Sequence, residues 1–198
     1  DELMELFRGV VQSGERSKVV ANADIFQADY SNYYSTGNYS VNFAGESELT
    51  SAIDYVTSDT LPTIYQLQGH GETALAGTLK TAVDKDNLLV KEVSLLSMEA
   101  VPEDCSTLLI YAPTADLGDE ELQKILAYMD KGGHLLLITD YSSTAKPNLA
   151  KLIANYGLST TDGIVVEGDM NHCVPNYQHY LLPTVNTHDI TKPIQDGN

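Results

Sequence analysis

Four segments follow one another along the chain: Ser106-Thr107-Leu108-Leu109-Ile110-Tyr111-Ala112, Asp119-Glu120-Glu121, Lys131-Gly132-Gly133 and His134-Leu135-Leu136-Leu137-Ile138. The first is an apolar run too short for a helix, of the kind that forms a strand buried on both faces of a parallel sheet. Pro113 to Gly118 makes a loop. The three acids then sit at the positive end of a helix dipole, and Leu122, Ile125, Leu126 and Met129 recur at helical spacing on one buried face. Lys131-Gly132-Gly133 stops that helix, and His134 to Asp140 reads as a second strand buried on both faces. Strand, helix and strand in this order form a βαβ unit with parallel strands.

The same alternation extends outward. Glu46 to Asp59 places Leu49, Ala52, Ile53 and Val56 on one helix face, and Thr60-Leu61-Pro62 ends it. Thr63 to Gln68 reads as a strand, followed by Gly69-His70-Gly71-Glu72. A helix carrying Leu75, Leu79, Ala82 and Val83 comes next, then a strand over Leu88 to Leu96. Downstream, Pro147 suits the first position of a helix whose Leu149, Leu152, Ile153 and Tyr156 face inward. Gly157 closes it, and Gly163 to Glu167 adds a last short strand. Repeated βαβ units with right-handed crossovers predict an α/β fold, a doubly wound and mostly parallel sheet of the flavodoxin-like kind.

The flanks are less regular. Residues 1–17 suggest a short helix with Leu3, Leu6, Phe7 and Val10 on one face, and Ser17 to Ala23 an edge strand. Residues 24–44 are rich in Tyr, Asn and Ser and read as loop and β-ribbon. The expected organisation is an N-terminal appendage over 1–45 and a flavodoxin-like domain over 46–198 with an irregular, proline-punctuated tail.

At 198 residues, 42% apolar and 20% charged, the chain can bury one substantial core. Eleven basic against 28 acidic residues give a formal charge of −17. Such a surface repels phosphate backbones and anionic headgroups, so no nucleic-acid partner is expected. Apolar runs such as Leu108 to Ala112 fall far short of the ~20 residues of a membrane span. Asp1-Glu2-Leu3-Met4-Glu5 has neither the basic nor the apolar region of a signal peptide. The ends of the chain read as those of a domain cut from a longer protein, with any membrane anchor outside it. Cys105 and Cys173 form no C-x-x-C and are expected to be free.

Several segments occur together in order: Val11-Gln12-Ser13-Gly14, Phe43-Ala44-Gly45-Glu46 running into Leu49-Thr50-Ser51-Ala52-Ile53, Gln68-Gly69-His70-Gly71-Glu72, Val101-Pro102-Glu103-Asp104, Pro113 with Asp116-Leu117 and Glu120-Glu121, Gly132-Gly133-His134-Leu135-Leu136, and Pro147-Asn148-Leu149 with Tyr156-Gly157-Leu158. In order and spacing they resemble the GldG-type auxiliary proteins of gliding-motility-like ABC-type transport systems. The resemblance implies a membrane-tethered accessory domain on the outer face of the cell membrane, working with the permease and ATPase subunits of the same system. It implies no catalytic residues.

In open α/β sheets, ligands bind beyond the carboxyl ends of the strands, where the strand order switches. Those ends carry Gly69, His70, Gly71 and Glu72, then Thr114 and Asp116, then Asp140 and Tyr141, which are the expected ligand- or partner-binding residues. Gly69 and Gly71 permit a sharp turn, His70 can transfer a proton near neutral pH, and Glu72 favours a helix N-terminus. His70 and Glu72 are expected to project side chains that the turn barely needs. The turn also reads as purely structural, with Glu72 stabilising a helix dipole.

Gly-His-Gly-Glu matches neither G-x-G-x-x-G nor the P-loop, and no lysine follows to neutralise a phosphate, so no nucleotide cofactor is expected. Cys105 precedes a strand instead of sitting on an elbow after one, and no G-x-S-x-G occurs, so no hydrolytic nucleophile is placed. His172, Cys173, His179 and His188 match no zinc spacing. Tyr30, Tyr33, Tyr34 and Tyr39 either form a recognition surface or pack a long loop. The expectation is a non-catalytic accessory domain without a cofactor or metal, which binds a partner or substrate of a transporter. A small-molecule sensing module is the alternative, and a hydrolase comes third.

Overall fold

In the computed structural model, which describes residues 8–142, 144–161 and 163–192, the chain opens on a hairpin of β1 (Arg8–Ser13) and β2 (Arg16–Ala21). Helical turn α1 (Asn22–Ile25) leads into a second antiparallel ribbon, β3 (Phe26–Asp29) and β4 (Ser40–Phe43), with α2 (Tyr33–Thr36) between them. There follow α3 (Gly45–Thr57), β5 (Thr63–Leu67), α4 (Gly77–Lys85), β6 (Leu89–Val93), β7 (Thr107–Tyr111), α5 (Asp119–Asp130), β8 (His134–Ile138) and α6 (Pro147–Ala154). A short hairpin, β9 (Cys173–Val174) with β10 (Tyr177–Leu181), lies near the end. The chain divides into two compact units, with the boundary between Leu152 and Ile153.

Four strands make an all-parallel sheet in the order β6-β5-β7-β8. Numbered by sequence, that is the 2-1-3-4 order of a flavodoxin-like fold, and the order reverses between β5 and β7. Leu67, Leu108 and Ile110 from the central strands and Ile125 from α5 are fully buried. Central strands are covered on both faces, which is why their sequences are continuous apolar runs. The fold is α/β with a flavodoxin-like sheet, as the alternation of elements predicts.

Several local expectations need correction. Residues 8–13 are a strand, because Gly14, with φ +57°, and Glu15 make a two-residue turn that pairs Ser13 with Arg16. Val10 therefore lies in β1, and Leu3, Leu6 and Phe7 fall outside the described residues. β8 is an edge strand, paired only with β7 among the described residues, and its Leu136 is half exposed instead of buried on both faces. Gly163 to Glu167 forms no strand, and Ile164, Val165 and Val166 are exposed. On α3 only Ala52 and Val56 of the expected face are buried, while Leu49 and Ile53 are exposed; Leu79 on α4 and Tyr156 after α6 are exposed too.

The N-terminal hairpin packs on α3. Lys18 on β2 donates to Ser51 Oγ at 3.2 Å and to Asn87 Oδ1 at 2.5 Å, and the Ser51 hydroxyl donates to the carbonyl of Lys85. Asn87, buried with φ +58°, returns a hydrogen bond from Nδ2 to the carbonyl of Ser51 at 2.9 Å. Asn tolerates this left-handed conformation better than most residues. One polar network thus joins β2, α3 and the turn between α4 and β6. Cys105 and Cys173 are free thiols. Among the described residues no helix is long and apolar enough to cross a membrane.

Candidate functional site

The switch in strand order brings together the turn after β5 and the loop after β7. Gly69 and Gly71 take φ +123° and +70°, conformations that side chains disfavour. A Cβ at Gly71 would collide with Thr114 Oγ1, so the close approach of the two loops requires glycine here. The carbonyl of His70 accepts three hydrogen bonds, from Thr114 N at 2.9 Å, Ala115 N at 2.9 Å and Thr114 Oγ1 at 3.1 Å. Thr73 N donates to Tyr111 O at 2.8 Å, and the buried Gln66 side chain holds the next residues by donating to Thr73 O at 2.7 Å and accepting from Leu75 N at 3.3 Å. Ala112, just past β7, has φ +46°, a strained conformation for a non-glycine residue.

The imidazole of His70 lies inside this junction, only 5% exposed. Its Nδ1 is 2.9 Å from Glu72 Oε1, and its Nε2 is 2.9 Å from Glu121 Oε2. Glu72 also accepts the backbone N–H of His70 at 2.8 Å. A neutral imidazole has one N–H and would turn a lone pair toward one of the two carboxylates, whereas the imidazolium donates to both. Burial alone pulls the His70 pKa down, but the hydrogen bonds and charges of Glu72 and Glu121 outweigh it, and the net shift is upward from 6.5.

Glu121 is the third residue of α5, and its Oε2 also accepts the N–H of Gly118, the N-cap, at 2.9 Å. One carboxylate therefore caps the helix and clamps the histidine. The Glu121 Oε1 atom is buried without a hydrogen-bond partner among the described residues. The expectation that His70 and Glu72 project freely is corrected: the Glu72 side chain is fully buried, because both residues form a charged clasp closed from within the protein.

The other expected site residues are placed differently. Asp116 is turned onto α6, where its carboxylate accepts Asn148 N at 2.9 Å and Leu149 N at 3.0 Å. The free N–H groups at that helix start, which elsewhere attract anions, are taken by a carboxylate of the protein itself. Asp140 and Tyr141 are exposed in the loop after β8, where Asp140 accepts the N–H of Tyr141 at 2.7 Å. The structure thus joins Gly69, His70, Gly71, Glu72 and Thr114 in one cluster and spends Asp116 on a neighbouring helix.

A family model described as an ABC-type uncharacterized transport system matches residues 61–181, a span that takes in the whole four-stranded sheet and the clasp. The chain belongs to this family. As a member it is an auxiliary component of an ABC-type transport system, a membrane-associated assembly. No curated protein and no solved structure matches the chain.

Two buried polar residues around this junction escape a reading by composition alone. Glu121 sits among three consecutive acids, and only its N3 position marks it as the one that turns back onto its own helix start. Asn148 is buried, donating from Nδ2 to Leu117 O at 2.8 Å and to Asp119 Oδ1 at 2.9 Å. Its place just after Pro147, at a helix start, is the local signal. Among the described residues no group of His, Cys, Asp and Glu side chains is arranged to hold a metal ion.

Proposed function

We propose that this chain is a non-catalytic scaffold domain of a membrane-anchored, GldG-type auxiliary protein, placed on the extracytoplasmic side and binding a partner or substrate of its transport system. The observation that carries this reading is the clasp. Both ring nitrogens of His70 are engaged by carboxylates 2.9 Å away, and the imidazole is shut off from solvent. A histidine so committed has no free nitrogen for acid–base chemistry on a substrate. At the strand-order switch, where a flavodoxin-like sheet takes its ligand, the imidazole and two carboxylates are paired with one another, and two N–H groups at the start of α6 are taken by Asp116. Both arrangements favour a rigid platform over a small-ligand or catalytic site.

The partners of this reading are the permease and ATPase subunits of the same system, and the anchor lies outside this chain. The test is co-purification of the tagged full-length protein with those subunits from membranes, combined with protease protection in intact cells. A retained complex with this domain cleavable from outside supports the reading. A protein that never accompanies the transporter, or a domain protected on the inner side, contradicts it.

A further inference from the structure

The β3–β4 ribbon carries aromatic rings on its outside. Tyr30 and Tyr39 stack with centroids 5.3 Å apart, Tyr33 meets Tyr30 edge-on at 6.0 Å, and Tyr34 meets Tyr33 at 6.1 Å. At the other end of the ribbon Phe26 and Phe43 pair at 5.5 Å. All six rings are exposed, and Tyr34 is 100% exposed. An exposed cluster of mutually packed tyrosines, with a second aromatic pair on the same ribbon, marks an interaction surface more often than a scatter of single residues does.

The ribbon is ordered by hydrogen bonds of its own. Ala44 N donates to Ile25 O at 2.8 Å, and Ser31 N donates to the Asp29 carboxylate at 2.8 Å. The ring of Phe43 lies so close over Gly45 that a Cβ there would collide with it. Order present before binding lowers the entropy cost of association.

Phe43 also borders a cleft of about 760 Å³ at the start of α3, lined among others by Glu46, Asp54 and Asp86. These three acids are exposed. The ammonium of Lys85 is paired with Glu48 at 2.6 Å, and that of Lys18 is engaged by Ser51 and Asn87. Three lining carboxylates against one lining ammonium group, itself paired with Glu48, leave the cleft negative. No lysine or arginine occurs from residue 19 to residue 79, so every formal charge on the ribbon and on α3 is acidic.

We propose that the aromatic ribbon and its adjoining acidic cleft form a docking site for a cationic, lysine- or arginine-bearing segment of a partner subunit in the transport system. The proposal rests on the accessory role argued above. Ring faces and carboxylates both attract cations, the first through the π quadrupole and the second by charge. A second copy of this chain fits poorly, since two bodies of charge −17 would meet through their acidic faces. Anionic lipid is repelled for the same reason.

The test uses the full-length protein and its tagged permease–ATPase complex in detergent, with affinity read by titration. Wild type should bind, and binding should weaken as salt is raised from about 0.1 M to 0.5 M. The pair Tyr34→Ser and Tyr39→Ser, and separately the pair Glu46→Lys and Asp86→Lys, should each weaken binding about tenfold or more. Glu99→Lys, an equal kind of charge change at an exposed position outside the ribbon and cleft, should leave it unchanged. If wild type does not bind the complex at all, the accessory role itself fails. If wild type binds and both pairs bind as well as it does, the docking site is wrong while the accessory role stands. Tighter binding by the lysine pair would mean an anionic occupant. Sedimentation showing a dimer that the tyrosine pair dissolves would mean a second copy. Either result overturns the proposal.

Discussion

The Nε2 atom of His70 and the Oε2 atom of Glu121 lie 2.9 Å apart, and through this contact the turn after β5 is tied to the first turn of α5. The same oxygen accepts the Gly118 N–H, so the histidine and the helix cap share one carboxylate. Glu72 closes the other side at 2.9 Å. The flavodoxin-like sheet therefore carries a buried three-residue charge cluster at the point where its strand order reverses.

Removal of His70 should be costly. His70→Ala leaves Glu72 and Glu121 buried with no counter-charge, and breaking a buried pair in this way costs about 3–5 kcal/mol. Urea unfolding of the variant should show this loss with an unchanged m-value. A cost of about 1 kcal/mol or less, which suits an exposed side chain, would mean that the imidazole is not enclosed in solution.

The clasp should also make stability depend on pH. The folded pKa of His70 is raised, because the two carboxylates outweigh the effect of burial. A group raised on folding contributes fully below its unfolded value, about 6.5, and its contribution is lost as pH rises through the folded value. Wild type should therefore lose stability on going from pH 6 toward alkaline pH, and His70→Gln should be flatter over the same window. Parallel curves for the two proteins would remove His70 as the cause.

Gly71 should tolerate no side chain. Gly71→Ala combines φ +70° with a collision against Thr114 Oγ1. Thr114→Ala in the same protein should recover the steric part of the loss but not the backbone part, which is about 1 kcal/mol. Full recovery in the double variant would mean that the backbone conformation is not left-handed.

Asp116 should behave as a helix cap. Asp116→Ala leaves the N–H groups of Asn148 and Leu149 without their acceptor. Loss of a capping carboxylate costs about 1–2 kcal/mol, and Asp116→Asn, which keeps one acceptor oxygen, should lose less. Amide hydrogen exchange should speed up at residues 148 and 149 first.

The central sheet was legible because its signals are local. Leu108-Leu109-Ile110 is an apolar run too short for a helix and typical of a buried strand, and Asp119 to Gly133 carries both ends of its helix in its own letters. The hairpin at residues 8–21 was hidden because Val10 satisfies a helical spacing with Leu3, Leu6 and Phe7 as well as the alternation of a strand. Gly163 to Glu167 reads as a strand, but a strand needs a neighbour to pair with, and pairing is not a local property. The clasp was half legible. Gly69 and Gly71 mark the turn and His70 marks titration, yet nothing near residue 70 names Glu121 as its second partner. That contact exists because β5 and β7 are adjacent, and so it follows from topology.

Gly132-Gly133-His134 poses a last question, which Tyr128 answers. Gly132, with φ +89°, ends α5, and a Cβ at Gly133 would strike the ring of Tyr128. That ring has little room to move aside. Its hydroxyl lies 3.3 Å from Cys105 O and 3.2 Å from His134 O, and it accepts the His134 N–H at 3.1 Å. Gly133→Ala should therefore cost about 1–3 kcal/mol through overpacking, and the same substitution should cost much less once Tyr128→Leu has cleared the space. Burial, with the neighbouring Cys105, pushes the Tyr128 phenol up to about 12. Because this group too is raised on folding, its contribution is complete below pH ~10 and fades as pH climbs toward the folded value. A titration followed by ultraviolet absorbance should show one tyrosine ionising well after the exposed ones in wild type. Its disappearance from the late step in Tyr128→Phe would assign it, and a late step unchanged by that substitution would show that the ring is not held against Gly133.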